Sequence, residues 1–136
     1  MVGEKDLQKL LAELRPELNP GRFVYCTFPG RVPAGLQPVV TVAEPEGVTA
    51  VVAQQEAEEL GLSYGYVAAW ITLRVHSALA AVGLTAAVAG RLTEEGISCN
   101  VVAGFHHDHL FVAAEDAERA LHALEQLAAW AQAQYA

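Results

Sequence analysis

The chain has 136 residues, of which 53% are hydrophobic and only 18% charged, and its formal net charge is −8. Such a composition supports a packed core and excludes an intrinsically disordered chain. Cations are sparse throughout, five Lys/Arg against nine Asp/Glu over residues 1–65 and three against seven over 66–136, so neither nucleic acid nor an anionic membrane is an expected partner.

In chain order, Leu7, Leu10, Leu11 and Leu14 share one helical face over residues 4–14, and Pro16 ends that pattern. Asn19-Pro20-Gly21 signals a turn. Residues 23–28 alternate as a strand that is apolar on both faces. Three prolines and two glycines make residues 29–38 a loop. Residues 39–42 and 48–53 are β-rich and flank the hairpin-like Glu44-Pro45-Glu46-Gly47. A short helix is expected over 54–60, stopped by Gly61. Residues 66–75 form a strand with Val67, Ala69, Ile71, Leu73 and Val75 on one face. Leu84, Ala87, Val88 and Leu92 then recur at helical spacing until Gly96. Two further strands, 97–105 and 109–114, are joined by a short polar turn. Glu115 and Asp116 open a last helix, whose expected buried stripe is Leu121, Leu124 and Leu127.

The second half thus reads strand, helix, strand, strand, helix, most of a ferredoxin-like βαββαβ unit without its last strand. That strand must come from the first half or from a second subunit. Cys26 and Cys99 have no CxxC spacing and sit in apolar runs, where buried thiols are expected. The opening Met1-Val2-Gly3-Glu4-Lys5-Asp6 is too polar for a signal peptide, and no apolar run reaches the ~18 residues of a membrane span, so the expected compartment is the cytoplasm.

Val82-Gly83-Leu84-Thr85-Ala86-Ala87-Val88, running to Glu95-Gly96-Ile97-Ser98, resembles the ACT-domain pattern, a glycine turn before a helix closed by Gly-Ile-Asn or a variant. The segment from Trp70 to His76-Ser77, Cys99-Asn100-Val101-Val102-Ala103-Gly104 and the stretch His107-Asp108-His109-Leu110-Phe111-Val112 are similar to small bacterial tandem ACT proteins. The resemblance implies an α+β fold: ferredoxin-like βαββαβ-type ACT units, residues 1–64 and 65–136, packed together with antiparallel sheets and helices on one face. It also implies a homodimer that binds an amino acid or similar small molecule between units. Many ligand-binding ACT units carry an Asp just before the turn glycine; Ala80-Ala81-Val82 stand there in this chain.

The turn entering the Leu84 helix is the best candidate ligand site, because a helix N-terminus offers unpaired N–H groups to a carboxylate and Gly83 permits close backbone approach. Ser77, Val82, Gly83, Leu84, Thr85, Ser98, Cys99 and Asn100 are the candidate residues, with Ser77, Thr85, Ser98 and Asn100 expected at one end of the sheet. Gly83 and Ser77 can equally serve only a tight turn and a helix cap. His106, His107, Asp108 and His109 form a second polar cluster, read as a polar turn, a ligand or interface contact, or a metal or catalytic group. Alternation puts His107 and His109 on one face and Asp108 on the other, too few ligands for a metal by themselves. No GxSxG, P-loop or HExxH motif is present. The expected function is a small-ligand-binding regulatory module with no cofactor, not an enzyme. The alternatives are a pure assembly module and, behind it, a small enzyme using His107, Asp108 and His109. Trp130 and Tyr135 are candidate interface anchors.

Overall fold

A computed structural model describes residues 6–76 and 81–135. The elements in chain order are α1 (Leu7–Ala12), β1 (Pro16–Leu18), β2 (Phe23–Phe28), β3 (Val40–Glu44), β4 (Gly47–Ala53), α2 (Gln54–Glu59), β5 (Gly65–Leu73), α3 (Leu84–Glu94), β6 (Cys99–Ala103), β7 (Asp108–Ala113) and α4 (Ala117–Tyr135). Asp6 caps α1 by accepting from the Gln8 N–H at 3.0 Å, as an N-cap carboxylate should. At the other end of α1 the Gln132 side chain of α4 donates to the Ala12 carbonyl at 2.8 Å. Each end of this short helix therefore has a side-chain cap.

All strands join one antiparallel sheet in the order β3-β4-β2-β5-β7-β6, with β1 also on β5. β5 is the hinge of the architecture. Its first half pairs with β2, and its second half, Ile71 to Leu73, pairs with β1. The jog between β1 and β2 is pinned where the Asn19 N–H donates to the Trp70 carbonyl at 2.9 Å. β2, β3, β4, α2 and the start of β5 follow the ferredoxin-like order, with the proline-rich residues 29–38 where a crossover helix would stand. β5, α3, β6, β7 and α4 form the second ACT-like unit. Its missing strand is β1, from the first half of the same chain. Pro16 does more than stop a helix: proline is tolerated at the first residue of a strand, and here it opens β1.

Pairing register decides which residues share a face. Val24, Cys26, Ala50, Val52, Val67, Ala69, Ile71, Leu73, Leu110 and Val112 fall on one side, and all four α-helices pack there. α1, α3 and α4 bury Leu10, Leu11, Leu84, Val88, Leu92 and Leu124 against β5 and β7. The stripe of α4 differs from the expected leucines. Ala120, Ala123, Leu124, Ala128 and Ala131 are buried, while Leu121 and Leu127 lie at the margin. Small side chains let α1 sit directly on α4, an approach that leucines at those positions would block. The opposite side has its own smaller core of Phe23, Val51, Ala68 and Phe111. Val40 on β3 and Val102 on β6, at the two ends of the strand order, line one pocket there. The sheet is therefore curled, and its helix-free face is concave.

Candidate functional site

Gly83 is the N-cap of α3 at φ 99°, ψ −15°, a left-handed conformation that favours glycine. Gly83 itself offers no side chain to cap the first turn of α3. Val82 beside it is 84% exposed, Leu84 is buried in the core, and Thr85 is exposed. The close approach that Gly83 allows is used by the chain itself: a Cβ at this position would stand 3.1 Å from Leu7 Cδ2 of α1. Ser77, expected beside this turn, lies outside the described residues.

The expected gathering of Thr85 with Ser98 and Asn100 at one end of the sheet is corrected by the register. Cys99 pairs with Val112, which is level with Ala69, whereas Ala103 and Asp108 are level with Leu73. α3 starts at the Leu73 end, so Thr85 lies at one end of β5 and Ser98, Cys99 and Asn100 lie toward the other. A crossover helix returns antiparallel to its strand, so the start of α3 and the start of β6 fall at opposite ends of the sheet. Cys99 packs on the helix side, and burial pushes its thiol up to about 11. Cys26 is buried on the same side, and both thiols are free.

At the Leu73 end of the sheet, where α3 starts, lies the 104–107 connection, closed by the Gly104 N–H donating to the His107 carbonyl at 2.9 Å. The His106 ring stands 6.4 Å from that of His76 and 5.1 Å from that of Phe105. Phe105 is 73% exposed. His107 Nδ1 is buried without a hydrogen-bond partner among the described residues. Asp108 is buried within β7, and no group of three His, Cys, Asp or Glu among the described residues converges closely enough for a metal ion.

His109 faces the concave side of the sheet, level with Thr72. Its Nδ1 accepts from Trp70 Nε1 at 3.1 Å and lies 3.3 Å from Thr72 Oγ1. Thr72, almost fully buried, accepts from Asn19 Nδ2 at 2.9 Å. Trp70 stacks on Phe111 with ring centroids 6.2 Å apart and meets Phe23 edge-on at 5.3 Å. Burial, with smaller contributions from His107 and Arg74, lowers the His109 pKa, while Asp108 opposes. The sequence reading missed Asn19, Trp70 and Thr72 as one group. The alternation of β5 placed Trp70 and Thr72 opposite the apolar row, which was the available signal. Only the β5–β7 register brings His109 across from Thr72.

Two family models, each described as ACT domain, match residues 2–69 and 66–126. No curated protein matches the chain. Among solved structures, a protein of unknown function from Vibrio cholerae, described as a possible transport protein, is 47% identical, with a TM-score of 0.82 over 91% of this chain and 97% of that one. A protein from Agrobacterium tumefaciens is 19% identical, with a TM-score of 0.64 over 85% of this chain and 90% of its own. The ligand-free regulatory subunit of aspartate kinase from Thermus thermophilus shares the fold at 12% identity, with a TM-score of 0.64 over 85% of this chain and 97% of its own. With two ACT matches in tandem and a relative of such identity along nearly its whole length, this chain belongs to the ACT-domain family.

Proposed function

We propose that this chain is a regulatory module that binds an amino acid or close analogue and passes its occupancy to subunit contacts in a homodimer. The observation that carries the reading is the first turn of α3, which starts at a left-handed glycine that has no side chain of its own to cap the N–H groups. Such groups, at the positive end of the helix dipole, suit a carboxylate. Exposed Val82 offers an apolar contact, Thr85 a hydroxyl, and Leu84 anchors the turn in the core. Ser77 is the nearest further candidate in sequence. Ser98, Cys99 and Asn100 lie toward the opposite end of the sheet, so one ligand touches both groups only if a second copy brings its own 98–100 segment to the turn. Such pairing would close with two-fold symmetry. The tandem ACT matches and the likeness to an aspartate kinase regulatory subunit support a regulatory role over an enzymatic one.

No described helix is long and apolar enough to cross a membrane, and the net charge of −8 disfavours nucleic acid. A second reading, assembly without a small ligand, draws on the exposure of Val82 and Phe105 at the same end of the sheet. A thermal-shift scan of free amino acids separates the two. At ~100 times its dissociation constant a ligand adds ~2.7 kcal/mol. With an unfolding entropy of about 2.1 cal/mol/K per residue, that raises Tm by about 9 °C. Sedimentation of the same samples reads the assembly: dimerisation with no shift from any amino acid leaves only the second reading.

A further inference from the structure

The concave face carries a pocket that the α3 turn does not use. It has a volume of about 380 Å³ and is lined by Val39, Val40, Trp70, Val102, Gly104 and His109. Five of these six residues present apolar surface or backbone, and the sixth presents a single directed donor. An indole N–H can only donate, so its 3.1 Å contact makes His109 Nδ1 an acceptor. The Thr72 hydroxyl, itself held by Asn19, supports the same nitrogen. In a neutral imidazole the proton then sits on Nε2. Among the described residues Nε2 makes no hydrogen bond; the bonds of His109 all fall on Nδ1.

Gly104 keeps that donor open. A Cβ there would stand 3.1 Å from His109 Nε2 and 2.7 Å from the His107 carbonyl oxygen. The ring is also fixed in place, because Trp70 contacts it at a centroid distance of 5.7 Å. The nearby Arg74 guanidinium is engaged by Glu17 at 2.8 Å, so no cation lines the pocket to compensate a buried anion. The walls come from both units of the chain, Val39 and Val40 from the first and Trp70, Val102 and His109 from the second.

We propose that this pocket is a second ligand site, for a small uncharged planar molecule that lies against Trp70 and accepts a hydrogen bond from His109 Nε2–H. A volume near the lower bound of small-molecule sites fits one or two rings. Simple aryl probes test it, with the Trp70 indole N–H resonance as the reporter and that of exposed Trp130 as the internal control. Benzamide, which joins a ring to a neutral carbonyl, should shift the Trp70 resonance saturably with a Kd on the order of 1 mM. Toluene, without an acceptor, and benzoate, which is charged, should bind about tenfold more weakly. His109→Phe should bring benzamide down to the level of toluene. Val102→Phe, which fills the pocket and leaves the Trp70–His109 contact in place, should abolish the response to all three.

The proposal is overturned if benzamide gives no saturable shift at its solubility limit, if benzoate binds as well as benzamide, or if Val102→Phe leaves the response unchanged. It is equally overturned if diluting the protein without probe moves the Trp70 resonance, since a second copy then occupies the pocket. Should His109→Phe fail to fold, the Val102→Phe result and the benzoate comparison decide. An amino acid bound at the α3 turn shifts Tm without moving Trp70, so the two sites are read separately.

Discussion

Replacing Gly83 tests whether the α3 turn is built as described. The residue sits at φ 99°, where a side chain costs about 1–2 kcal/mol through crowding with the backbone. An alanine Cβ would also stand 3.1 Å from Leu7 Cδ2, so the leucine must give way by a few tenths of an ångström and lose part of its packing. Together these place Gly83→Ala at about 2 kcal/mol of destabilisation, of which about 0.5 kcal/mol belongs to the Leu7 contact. For a chain of 136 residues the unfolding entropy is about 0.29 kcal/mol/K, so Tm should fall by about 7 °C. Urea unfolding of wild type, Gly83→Ala, Leu7→Ala and the double variant closes a thermodynamic cycle. In the Leu7→Ala background the glycine substitution should cost less, because the opposing methyl groups are gone. Equal cost in both backgrounds would refute the packing of α1 on this turn. A cost within experimental error of zero would refute the left-handed conformation.

Three further outcomes follow from the same geometry. Because the folded His109 pKa lies below the ordinary 6.5, the unfolded chain binds more protons below that value. This residue's contribution to stability is therefore complete above pH 6.5 and declines as pH falls from there toward the folded pKa, by at most about 1.4 kcal/mol per pH unit; urea titrations at pH 7 and pH 5 should show a smaller loss in His109→Phe. With its thiol pushed up to about 11 by burial, Cys99 should react with iodoacetamide at pH 8 about a hundredfold more slowly in the folded protein than in urea, as mass mapping of the labelled peptide would show. Leu10→Ala removes a fully buried side chain between α1 and α4 and should cost about 2–5 kcal/mol; a loss below 1 kcal/mol would mean that α1 is not part of the core.

The homodimer in the proposed function rests on ligand geometry rather than on an unfinished sheet, since β1 supplies the strand that the second half lacks. Sedimentation equilibrium should give twice the chain mass of 14.5 kDa. Trp130, 55% exposed on α4, is the described residue best placed to anchor such a contact. The side chain of Tyr135, the other expected anchor, lies outside the described residues.

Local periodicity was enough to place most elements, because the spacing of apolar residues encodes which face of a helix or strand is buried. β2, β4, β5, α3 and β7 are found within a residue or two of the expected positions. The glycine turn before α3 and the burial of Cys26 were legible for the same reason, while Cys99 is only partly buried. β1 was not, since three residues that open on a proline carry no period, and their extended form is stabilised by pairing with Ile71 to Leu73. Nor could the sequence tell that Thr85 and Asn100 lie toward opposite ends of the sheet, that Leu7 fills the space above Gly83, or that His109 meets Trp70 and Thr72. Each of these depends on register between segments distant in the chain. Register is set by hydrogen-bonded pairing and by the packing of whole faces, and a shift of one residue would exchange the helix side for the concave side.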